Sequence, residues 1–134
     1  MNPASLDLVN MLVAESDITL TFAVDIFVGK EPAIPNDCVT VFDTPGKPAG
    51  LDLKGNTKYY FPSCQIRVRN TGYTAGWNLI NQIKELLHGE HHNEVWGSMK
   101  YQKIECVQEP FLLYWDEKGR ARFVTTFNIE RITT

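Results

Sequence analysis

The hydrophobic pattern changes period at Ser16-Asp17, and that switch limits the folds open to this chain. Before it, Leu6, Val9, Leu12 and Val13 recur at helical spacing, which predicts a helix over residues 3–15. Asn2 is placed to cap that helix, and Pro3 suits its first position. After the switch, Leu20, Phe22, Val24 and Ile26 alternate with Thr19, Thr21, Ala23 and Asp25. A period of two predicts a strand over 18–28 with one buried face.

The rest of the chain repeats the contrast. Lys30 to Asp37 holds two prolines and reads as a loop. Residues 38–43, CVTVFD, predict a strand of β-branched and aromatic residues. Thr44 to Lys58, with two prolines and three glycines, reads as a long loop of the kind that often carries function. Residues 59–69 predict a strand in which Cys64, Ile66 and Val68 face one way, and Gln65, Arg67 and Arg69 the other. Pro62 marks an edge or a bulge in it.

Residues 73–88 predict the clearest helix, with Trp77, Ile80, Ile83 and Leu87 as its core stripe. Gly89 stands where a left-handed cap belongs, and Gly76 favours close packing. HGEHHNEVWGS follows as a polar linker. Strands are then expected over 99–108, 111–115 and 120–131, with Asp116 to Gly119 as the hairpin turn between the last two. The order is α-β-β-β-α-β-β-β. It predicts an α+β fold: a mixed, mainly antiparallel sheet with two helices on one side, formed by residues 1–134 as one domain.

Composition narrows the function. With 43% hydrophobic residues, the chain can bury a core. A net charge of −3 argues against a protein that coats nucleic acid. No apolar run approaches the ~20 residues of a membrane helix, and the acidic N-terminus does not resemble a secretory signal. Cys38, Cys64 and Cys106 form no CxxC pair and read as reduced, buried thiols.

Catalytic patterns are weak. His88, His91 and His92, near Glu90 and Glu94, have metal-ligand chemistry, but they occupy a helix end and a polar linker. A solvated linker explains them as well. A small metal-binding protein or enzyme using this linker is the alternative from another class. Asp43-Thr44-Pro45-Gly46-Lys47 lacks the hydroxyl residue and spacing of a phosphate loop, and reads as a turn. No GxSxG elbow occurs. The cysteines lie on predicted strands, where burial suppresses thiol reactivity. The acids Asp7, Asp25, Asp43, Asp52, Glu105, Glu109, Asp116 and Glu130 show no spacing that brings two together. Arg67 and Arg69, with Gln65 in the same row, are the distinctive pair. Two like charges side by side need acids of a neighbouring strand, acids of another subunit, or phosphate.

Four segments in order carry a resemblance: a leucine-rich first helix, DIFVGKEPAIPNDCVTVFDTPGKPAG, YFPSCQIRVRNTGYTAGWNLINQIKELLHG and LLYWDEKGRARFVTTFNIER. Together they resemble the minor capsid proteins of tailed bacteriophages, in the group that act as tail terminators. The resemblance implies a structural virion protein, not an enzyme, with no cofactor and no membrane partner. It implies a hexameric ring at the head-proximal end of the tail tube, assembled in the host cytoplasm. The ring stops tube polymerisation and meets head-completion or stopper proteins. Genomic DNA passes its lumen without sequence-specific binding. Another neck or head-closure component is the nearest alternative. On this reading Gln65, Arg67 and Arg69, with Asp43, Lys47, Asp52 and Lys54 in and beside the long loop, form the candidate interface set.

Overall fold

The computed structural model describes residues 1–51 and 57–134. Along the chain lie α1 (Ala4–Ala14), β1 (Ile26–Val28), β2 (Cys38–Leu51), β3 (Lys58–Asn70), α2 (Tyr73–Leu87), β4 (Val95–Trp96), β5 (Met99–Trp115) and β6 (Ala121–Thr133). The strands form one sheet in the order β1-β2-β3-β6-β5-β4. β1 runs parallel to β2, and the other neighbours are antiparallel. This is the expected α+β class and element order.

Alternation decides which face is buried. Val39 pairs with Val68 and Val68 with Phe123, while Val41 pairs with Ile66 and Cys64 with Phe127. All of these side chains are buried. Both helices cover that face. α1 packs through Leu8, Val9, Met11 and Leu12, and α2 through Ile80, Ile83 and Leu87. At Gly76 a Cβ would lie 2.7 Å from the Phe123 ring and 3.0 Å from Asn70 Cβ, so only glycine lets α2 sit this close. Gly89 follows α2 at φ +74°, the left-handed value expected past a helix end. The opposite face, with Arg67, Gln65, Thr126 and Asn128, carries no helix among the described residues.

Several elements differ from expectation. Residues 18–25 alternate but do not form a strand. The chain turns at Thr21–Asp25, where Asp25 Oδ1 accepts from the Thr21 amide at 2.6 Å and Ala23 takes φ +63°. Phe22 and Val24 are left exposed, Phe22 makes only an isolated bridge to Ile26, and the strand begins at Ile26.

The segment after Asp43 is not a loop or a turn, because β2 runs on to Leu51 opposite β3. Register shifts between Thr44 and Lys47, and between Lys47 and Gly50, absorb Pro45 and Pro48. A Cβ on Gly46 would fall 2.0 Å from the Phe61 carbonyl oxygen, so this bulge also requires glycine. Pro62 faces the first shift, which is the predicted bulge, although β3 is central rather than an edge.

β5 is likewise one strand through Pro110, bulged between Gln108 and Phe111. The polar linker contributes the two residues of β4. Pro3, not Asn2, is the N-cap of α1, and it makes no side-chain cap bond. Trp77, expected in the core stripe, is exposed at the surface, with its ring 6.1 Å from that of Phe123.

Candidate functional site

The described residues of the predicted interface set separate into four environments. The first is the open face of β3. The Arg67 guanidinium lies over the Phe42 ring at 5.1 Å, and its Nε donates to Gln65 Oε1 at 2.8 Å. Gln65 thus accepts from a neighbour in its own row. The register continues this row from Thr40 through Arg67 and Val124 to Phe111. Arg67 and Gln65 stay at the surface, half-buried.

Arg69 points to the same face but is only 3% exposed. It donates to the carbonyls of Pro35 at 2.6 Å and Asn36 at 3.0 Å, and pairs with Glu31 at 3.4 Å. Glu31 also accepts from Arg122 Nη1 at 2.5 Å. Arg122 and Arg120 share Asp116 Oδ2, at 3.2 and 2.7 Å, and Arg120 reaches Asn36 Oδ1 at 3.3 Å. Three arginines and two acids therefore pin the 30–37 loop across the ends of β2, β3 and β6. Burial alone would raise the Asp116 carboxyl. Donation from the Arg120 amide and guanidinium, with the Lys118 amide, outweighs burial and holds it at about 2. Like-charge repulsion between Arg67 and Arg69 is relieved within the subunit.

Asp43 lies on the helix-bearing face. Its carboxylate accepts from the Ser5 amide at 3.1 Å and the Ser5 hydroxyl at 2.6 Å. It caps the first turn of α1 from across the fold, where the helix dipole favours an anion. Lys47 is exposed at the β2 bulge, beside a groove lined by Phe61, Lys103, Glu105 and Glu130. Asp52 and Lys54 lie outside the described residues.

The histidines do not converge. His88 Nδ1 accepts from the Cys106 amide at 2.9 Å. His91 lies between Glu94 at 3.0 Å and Glu15 at 3.5 Å, while His92 meets the Gln102 carbonyl at 2.9 Å. Each imidazole fastens a different piece of the 88–94 segment, and no three metal-ligating side chains come together among the described residues. The thiols of Cys64 and Cys38 are buried, and burial pushes both upward, against nucleophilic use. Cys106 is half-buried rather than buried.

The sequence reading missed a buried cluster of Asp7, Tyr101 and Arg131. Tyr101 donates to Asp7 Oδ2 at 2.5 Å, and Arg131 Nη1 contacts the same oxygen at 3.2 Å. Burial and then the Asp7 bond push the Tyr101 hydroxyl well above its ordinary range. An acid flanked by the apolar residues of α1 is the one sequence signal of this cluster. It joins the first helix to the last two long strands.

The positioned polar groups thus hold the subunit together and shape its surface. Residues 7–132 match the family model described as "Bacteriophage tail terminator protein". The chain belongs to that family. Tail terminators are structural proteins of the phage tail, and this one is a virion component. Its fold is similar to a chain in a solved structure titled "Virion of native gene transfer agent (GTA) particle". The TM-score is 0.65 at 11% identity, over 97% of this chain and 95% of that one. At that identity the likeness shows the fold. No curated protein matches the chain.

Proposed function

We propose that the protein forms a hexameric ring at the head-proximal end of the tail tube, where it ends tube polymerisation and presents a surface to a head-completion or stopper protein. Family membership across residues 7–132 carries this reading. Each copy, as one domain of 1–134, is one sector of the ring in the neck of the virion, assembled in the host cytoplasm.

The surface chemistry supports a conduit rather than a clamp for DNA. Arg69, Arg120 and Arg122 are paired with Glu31 and Asp116 inside the subunit, which leaves the cluster one positive charge rather than three. The net charge of −3 leaves no strong pull on phosphates. Genomic DNA then crosses the lumen without sequence-specific contact. The role is structural, with no reaction and no cofactor. Arg67, Gln65, Lys47 and Asp43 are the surface members of the predicted interface set, although Asp43 also caps α1, whereas Arg69 is buried and acts within the subunit.

Electron microscopy of a phage lacking this protein tests the role. Overlong or head-free tails are expected. Tails of normal length beneath emptied heads overturn it in favour of a head-closure component.

A further inference from the structure

Two apolar patches stand at opposite edges of the sheet. At one edge, β1 covers only Val39 to Val41 of β2. The turn before it leaves Phe22 and Val24 exposed, Val24 by 59%. Phe22, Phe27, Val28 and Pro32 line an apolar groove there, and Lys30 is its charged lining residue. At the other edge, β4 pairs with β5 only at Met99 and Lys100. The Gly89 amide and the His88 ring cover the backbone at Ile104 and Cys106. Beyond that no strand lies outside β5 among the described residues, and Val107, Leu113, Tyr114 and Trp115 are exposed, Trp115 by 51%.

We propose that adjacent copies join edge to edge, the outer edge of β5 on one copy seating against the groove beside β1 on the next. The occupant of the groove is a second copy of this chain, and this rests on the ring reading above.

The register places the two patches level. One row crosses the sheet as Ile26, Val39, Val68, Phe123 and Leu112, and the next as Phe27, Thr40, Arg67, Val124 and Phe111. Two different patches on one molecule make a head-to-tail contact, which closes into a ring or climbs into a filament. Patches on shared rows give little rise from copy to copy, so the contact favours closure. An open strand edge carrying exposed apolar side chains in a single subunit is a site for partners.

Charge agrees with the pairing. Residues 107–117 contain Glu109, Asp116 and Glu117 and no lysine or arginine. Glu109 is held by Lys84 at 3.0 Å and Asp116 by Arg120 and Arg122, which leaves Glu117, with Lys118 following it in the turn. Lys30 at the groove and Glu117 beside Trp115 have no ion pair among the described residues, and they become partners across the boundary.

The test uses the full-length protein, by native mass measurement across concentration and by occupancy of tail tubes that lack it. Lys30→Glu and Glu117→Lys are each expected to weaken self-association about 10-fold, and the two together to restore it to within about 3-fold. Val24→Asp is expected to abolish ring closure with unchanged thermal melting. Rings that form equally well in all three variants overturn this interface and leave the ring reading standing. A wild-type protein that stays monomeric in solution and on tubes overturns the ring reading and this inference with it.

Discussion

The Tyr101 hydroxyl donates to Asp7 Oδ2 at 2.5 Å, and Arg131 Nη1 donates to the same hydroxyl at 3.1 Å. Arg131 also reaches the Asn2 carbonyl at 3.0 Å, so the chain's first residues are tied to its last strand. Asp7 and Tyr101 are fully buried and Arg131 nearly so. Removing one member of a buried ion pair strands the other charge. Arg131→Met is expected to cost about 3–5 kcal/mol. Tyr101→Phe removes one donor and is expected to cost about 1–3 kcal/mol. Urea unfolding of the two variants checks the order, and an Arg131→Met midpoint equal to wild type refutes it.

Asp43 is the cap that α1 lacks in its own sequence. Pro3 offers no side-chain acceptor, and Asp43 meets the Ser5 amide and hydroxyl from β2. Asp43→Ala is expected to destabilise the fold by about 0.5–2 kcal/mol, the usual value of a lost cap. Chemical denaturation followed at a helix-sensitive wavelength measures it. No change in midpoint removes the capping role.

What the sequence made legible was local. The stripe of Ile80, Ile83 and Leu87, the alternation of Cys64, Ile66 and Val68, and the Asp116 to Gly119 turn need only neighbouring residues to be read, and all three stand in the structure. What it hid depends on residues far apart. Pro45, Pro48 and Pro110 signal breaks, yet bulges against a long partner strand carry β2 and β5 past them. Phe22 and Val24 keep strand alternation, but no partner strand lies alongside, and the Asp25 carboxylate turns the chain instead. Arg69 looked available to a neighbour because nothing nearby in sequence names Glu31 and the Pro35 carbonyl as its partners. Gln65 and Arg67 were legible as surface neighbours on one face of β3, and the buried partners of Arg69 were not.

Gly76 sets the distance between α2 and β6. A methyl group there meets Phe123 Cε2 at 2.7 Å and Asn70 Cβ at 3.0 Å, and the Phe123 ring is already enclosed by Tyr73 and Trp77. Helix propensity favours alanine by about 1 kcal/mol, but overpacking costs about 1–3 kcal/mol. Gly76→Ala is therefore expected to lower the melting temperature despite the better helix former. A melting temperature above wild type shows that the ring can yield.

Asp116 gives the fold an acid-sensitive element. Its carboxyl sits at about 2, below the ordinary 3.8, because the bonds from Arg120 and the Lys118 amide outweigh burial. Between those values the unfolded chain binds a proton that the folded chain does not, so stability rises with pH across this window. The contribution is complete above about pH 4 and is lost as pH falls through 2. Asp116→Asn cannot ionise. It is expected to be less stable than wild type at neutral pH, since Arg120 and Arg122 lose their counter-charge, and to lose less on going from pH 4 to 2. Thermal melts of the two proteins across that range decide the matter. Parallel acid limbs mean that Asp116 is not the group responsible, and that the 30–37 loop is held without help from its charge.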